Sequence, residues 1–212
     1  TITISQAGTG LRSSSGSLSA SGIGFFDTTV AVASQQGAST TVQSLTADNV
    51  ALLIDAADSD DLTVSSGAVS GQRLLLANGA SSFSIEDIVF EGRLSDTLAI
   101  IDQRCIGTCS WSNLEISNVT NGIFLSGSGN HSFSGLDITA AERGIEGTGS
   151  GHIHLASTNL TAGPTGIEMR DPSRTLEQLS TSLTSHDSTA LVVFARTHPS
   201  YYATPENGCF AS

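Results

Sequence analysis

The feature that most limits what this chain can become is a phrase repeated at a fixed interval. Asn121-Gly122-Ile123, Arg143-Gly144-Ile145-Glu146 and Thr165-Gly166-Ile167-Glu168 follow one another 22 residues apart. Between them lie short alternating runs, Leu114-Glu115-Ile116, Leu136-Asp137-Ile138 and Leu160-Thr161-Ala162. A constant period with strand-like alternation inside each unit is the mark of a solenoid. Each repeat is one coil that buries its apolar face only by stacking on the next.

Two ladders can be followed on this period. The Gly-Ile phrase recurs at Leu52, Leu74, Leu98, Ile123, Ile145, Ile167 and Leu191, at spacings of 22, 24, 25, 22, 22 and 24. A second phrase places apolar or small residues three and then two apart: Ile85/Ile88/Phe90, Trp111/Leu114/Ile116, Phe133/Leu136/Ile138, Ser157/Leu160/Ala162 and Ser180/Leu183/Ser185. Each coil therefore has two or three short strands and corners, with equivalent residues about 4.8 Å apart along the axis. Alternation sets the faces. Ile88, Leu114, Leu136, Leu160 and Leu183 point inward, and Val89, Glu115, Asp137, Thr161 and Thr184 outward. Three segments follow. Residues 1–40, with the serine-rich run Leu11 to Ser21, are expected as irregular N-terminal coils or a cap. Residues 41–196 form the solenoid, and 197–212 break the pattern as a C-terminal tail or cap. The Arg174 to Leu179 stretch after Asp171-Pro172 reads as an inserted corner rather than a helix.

Composition agrees with a thin core. Aromatics are only 5% of 212 residues, which a solenoid tolerates better than a compact globule does. The net charge is −12 and lysine is absent. That balance excludes a phosphate-backbone partner and disfavours anionic membranes. No run of about 18 apolar residues is present, so no transmembrane helix is expected. The chain opens at Thr1 without an initiator methionine, which reads as a processed product or a piece of something longer. Cys105 and Cys109 bracket Ile-Gly-Thr. A tight loop around Gly107 would allow a disulfide, and two reduced thiols are the alternative.

Coils of 22–25 residues, stacked Ile and Leu, and Gly, Asn and Ser at the corners resemble the right-handed parallel β-helix superfamily over roughly residues 41–196. Pectate lyases, polygalacturonases, phage tailspikes and autotransporter passengers belong to it. The resemblance implies an all-β, right-handed parallel β-helix. The left-handed form, with its hexapeptide cadence and shorter coils, fits less well. Function is not implied with the same force, because the fold carries enzymes, adhesins and spikes alike. The polygalacturonase signatures fail: only Asp60-Asp61 is nominally present, and without lysine the Arg-x-Lys element is impossible.

Candidate chemistry lies in ordered polar columns. Glu115 and Asp137 fall on adjacent coils in one outward position, and so do Glu146 and Glu168. Each pair would be about 5 Å apart, a separation that suits a retaining glycosidase or a Ca²⁺ ion. Arg143 and Arg170 lie near the second pair and would suit an anionic sugar. The plainer reading is a solvated polar face. Asp58, Asp60 and Asp61 form the densest acidic loop, a weak Ca²⁺ candidate that lacks the glycine and distal glutamate of an EF-hand. His152 and His154 share one face of a strand, without an evident third ligand. The other histidines read as surface residues.

No cofactor is expected beyond weak Ca²⁺. The expected function is a non-catalytic β-helical module of a phage tailspike or fibre, or of a secreted bacterial surface protein. Its partner would be a polysaccharide or cell-surface receptor, its assembly a homotrimer if viral, and its location extracellular, at the cell surface or on a virion. The alternative is a polysaccharide lyase or glycoside hydrolase acting on an anionic polysaccharide.

Overall fold

The computed structural model describes residues 2–80, 82–93, 98–105, 107–171, 173–185, 189–193 and 202–203. Among them are 17 strands and no helix. All pair in parallel within one continuous sheet that winds into a solenoid of about 8 turns.

Each coil alternates a long strand with a short one. Long strands such as Ser39–Val50, Asp61–Gly71 and Gly151–Ala162 stack on long, and short strands such as Val30–Gln35, Leu52–Ala57 and Thr165–Met169 stack on short. Two coils run long and short together as Thr108–Leu125 and Asn130–Gly147. Seven of the long strands are bent near the middle at a residue in the left-handed backbone region. Ser44, Ser66, Asp87, Asn113 and Ser157 occupy this place with φ between 51° and 58°, and Gly22 and Gly135 hold it at 66°. Glycine, asparagine and aspartate adopt this conformation at least cost. Asn113 Nδ2 also donates to Asp87 Oδ1 at 2.9 Å, tying one bend to the next. The bend divides each of these strands into two runs, which with the short strand give a coil three sides.

The inward columns are continuous. Ile23, Leu45, Ile88, Leu114 and Leu136 are all buried, as are Ile123, Ile145 and Ile167. Inside three successive coils Phe83 meets Trp111 edge to face and Trp111 stacks on Phe133, with ring centroids 4.6 Å and 5.6 Å apart. The Gly-Ile phrase has a steric origin. A Cβ on Gly122 would lie 2.5 Å from the Gly144 carbonyl oxygen, and one on Gly144 would lie 2.6 Å from that of Gly166. Only glycine lets these turns approach closely enough for the isoleucines beside them to stack.

Several sequence expectations need correction. The short-strand column runs through Val32, Ile54, Leu75, Ile100, Ile123, Ile145, Ile167 and Leu191. Leu52, Leu74 and Leu98 therefore lie one or two residues before their true equivalents. Leu160 stacks on Ile138 rather than on Leu136, because Asp137 faces Asn159 across that step. The slip is two residues, so Leu160 still points inward. Residues 2–40, expected as irregular coils, pair in the same ladder, with Ile2 opposite Ile23 and Leu11 opposite Val32. Arg174–Ser185 is a strand, and the widened spacing before it is a corner in which Asp171 Oδ1 accepts from the Ser173 amide at 2.9 Å. The 197–212 tail lies outside the described residues except Tyr202–Ala203, which pair with Glu177–Gln178.

His131, read as a surface residue, is 1% exposed and stacks on Phe133. It follows Cys109 in an interior column. Burial first, and then the nearby Arg174 charge, push its pKa from 6.5 down to about 3. Arg174 is itself buried and spans the corners, donating to the carbonyls of Gly127, Thr148 and Gly149. Cys105 and Cys109 form a buried disulfide with Cα atoms 6.4 Å apart.

Two outcomes follow for stability. Leu136→Ala lowers it by about 2–5 kcal/mol, and Gly144→Ala lowers it by about 1–3 kcal/mol through overpacking, both measurable by denaturant unfolding. As pH falls, the unfolded chain protonates at His131 before the folded chain does. Stability is therefore full above about pH 6.5 and is lost between there and about pH 3, at up to about 1.4 kcal/mol per pH unit. His131→Leu flattens this part of the acid limb in unfolding measurements at stepped pH.

Candidate functional site

The bend in these long strands creates an outer side whose residues line up coil upon coil. Thr3, Gly24, Thr46, Ala68, Val89, Glu115, Asp137, Asn159 and Ser182 succeed one another in strict register. Eight steps at about 4.8 Å make this ladder roughly 38 Å long. Glu115 and Asp137 are adjacent in it and exposed, as alternation predicts.

The ladder changes character along its length. Its first half is small and uncharged, and beside it runs a second column that includes Phe26 and Asp48 on neighbouring coils, with Ser70 and Glu91 beyond. Together these residues line a shallow open depression with Val89 at its edge. Phe26 is 39% and Val89 45% exposed, unusual for large apolar side chains in this molecule. Ser70 Oγ donates to the Asp48 carboxylate, which holds that wall in place. The second half, Glu115 to Ser182, is polar and acidic.

The other acidic pair is arranged differently. Glu146 and Glu168 stack on the short-strand side, between Phe124 on one coil and Val192 on another. Their side chains are only 14% and 11% exposed, beneath two more exposed arginines. Arg170 Nε donates to Glu168 Oε1 at 2.9 Å, and its Nη1 lies 3.2 Å from Glu146 Oε1. Arg143 Nε lies 3.2 Å from Glu168 Oε2 and 3.9 Å from Glu146 Oε2. The hydrogen bond to Glu168 raises the Arg170 pKa further above its usual value. Two positive and two negative charges cancel within the cluster. The arginines thus serve these glutamates and cross-link neighbouring coils.

Asp58, Asp60 and Asp61 sit exposed at a corner, where Asp61 Oδ1 accepts from Ser82 Oγ at 2.5 Å. Among the described residues, the His, Cys, Asp and Glu ligand atoms that converge in a set of three belong instead to His152, His154 and Glu177. Glu177 stands opposite His154 on the next coil. Its carboxyl is held below the usual range, chiefly by the hydrogen bond with His154. Sequence reasoning paired the histidines but missed the glutamate. Adding one coil length to His154 would have reached it.

Glu168→Gln removes the carboxylate shared by both arginines and costs about 1–3 kcal/mol, whereas Glu115→Gln leaves stability unchanged. Thermal unfolding of the two variants side by side reads the difference. Comparison with protein-family models, with curated proteins and with solved structures returns no match.

Proposed function

We propose that this chain is a non-catalytic recognition module that holds a linear glycan along its long outer ladder. In this reading it belongs to a phage tailspike or fibre, or to a secreted bacterial surface protein, of the right-handed parallel β-helix type. The observation that carries the reading is the exposed Phe26–Val89 depression set in an elongated, regular face. An exposed apolar patch rimmed by polar groups is a typical interaction surface. An aromatic ring offers a platform to the C–H face of a sugar, while Asp48, Ser70 and Glu91 offer acceptors and a hydroxyl to its OH groups. The length of the ladder suits a polymer rather than a compact ligand. The acidic second half favours neutral or cationic chains over anionic ones. The buried Cys105–Cys109 disulfide supports an oxidising, extracellular setting.

A panel of soluble polysaccharides, read by calorimetry and by reducing-end assay, tests the proposal. The expected result is binding to a neutral glycan without cleavage. Phe26→Ser weakens it by about tenfold or more, consistent with aromatic anchors dominating such interfaces. The stacked pair Glu115 and Asp137 supplies the competing reading. New reducing ends that vanish in Glu115→Gln would make the protein a glycoside hydrolase. Absence of binding across the panel would remove the glycan reading.

A further inference from the structure

His152 and His154 alternate with an inward residue on the strand Gly151–Ala162, so both project from its outer face before the bend at Ser157. The strand Arg174–Ser185 of the next coil brings Thr175 opposite His152 and Glu177 opposite His154. Register alone thus places two imidazoles and a carboxylate at one point on a side of the coil distinct from the outer ladder.

We propose that His152, His154 and Glu177 form a binding site for a divalent transition-metal ion, Zn²⁺ being the ion the donor set suits best. The ligand atoms all lie within 4.8 Å of one another. Glu177 Oε2 is 3.1 Å from His154 Nδ1 and 3.4 Å from His152 Nε2. Tetrahedral Zn²⁺, with bonds of about 2.0–2.1 Å, needs neighbouring ligand atoms roughly 3.3 Å apart. The two carboxylate–imidazole spacings already present are therefore close to what the ion requires. Two nitrogens and one oxygen favour zinc and its neighbours over Ca²⁺ or Mg²⁺, which prefer all-oxygen sites.

A second observation concerns orientation. His152 Nδ1 lies 2.7 Å from Thr175 Oγ1. With the proton on Nδ1 donated to the threonine, the Nε2 lone pair faces the site. This outer hydrogen bond is the usual device for fixing a ligand histidine in its metal-binding tautomer. The backbone amide of His152 donates to Asn130 Oδ1 at 3.2 Å, anchoring the same residue from the preceding coil. All three ligands are partly exposed, which leaves a fourth position open to water or to a group from a partner. The bound ion would clip two successive coils together.

The test uses the full chain, stripped with a chelator and titrated with Zn²⁺ by calorimetry, with Co²⁺ absorption as a second readout of geometry. The expected result is about one equivalent of Zn²⁺, a Zn²⁺-dependent rise in Tm and tetrahedral Co²⁺ bands. His152→Ala, His154→Ala and Glu177→Gln each weaken binding by about tenfold or more. Thr175→Val keeps every ligand yet weakens it by about tenfold. Asp60→Asn/Asp61→Asn leaves it unchanged. These side chains lie at the surface, and far-UV circular dichroism checks that each variant keeps its β-structure. Absence of both heat and Tm shift overturns the proposal. So does Zn²⁺ binding that survives His152→Ala/His154→Ala.

Discussion

Everything in this molecule depends on the parallel hydrogen-bonded ladder between one coil and the next. It sets the distance from each residue to its counterpart a coil away at about 4.8 Å. Once that spacing is imposed, a side chain's nearest companions are decided by register. Isoleucine rests on isoleucine in the short-strand column, and the rings of Trp111 and Phe133 stack nearly in parallel, 10° apart. Glycine keeps Gly122 and Gly144 under the carbonyls of the following turns. The interior is narrow, so a defect in one coil has little surrounding bulk to absorb it.

Such a fold announces its period more readily than its phase. Ile123, Ile145 and Ile167 were legible because each follows a glycine, and at Gly122 and Gly144 the close approach of backbones demands it. Leu52-Leu53-Ile54 and Leu74-Leu75-Leu76 contain neighbouring apolar residues, and nothing in such a run says which one occupies the column. Ile54 and Leu75 do. The slip at Leu160 has another cause. Thr158 is fully buried and returns its hydroxyl to the Ala156 carbonyl, so a polar letter occupies an inward place. His131 misled for the same reason. The pairing of Glu115 with Asp137 and of Glu146 with Glu168 followed from the period alone. That Arg143 and Arg170 close over the second pair did not, because side-chain reach is not written in spacing.

Three of the positive charges are used to join coils. The chain has 8 basic residues other than histidine. Arg143 and Arg170 are held by glutamates, while Arg174 is buried among carbonyl oxygens. These three cations stitch coil to coil. The exposed ladder and its corners keep their negative charge, which favours solubility and repels anionic partners at long range.

The strict register of the outer ladder has a metrical consequence. Its rungs form a scale of nearly constant division, and a repeating molecule laid along it is compared with that scale like the sliding arm of a vernier. A mismatch too small to matter at one rung accumulates at each further rung until contacts fail. Selectivity on such a surface grows with the number of rungs engaged, so length itself becomes a means of discrimination.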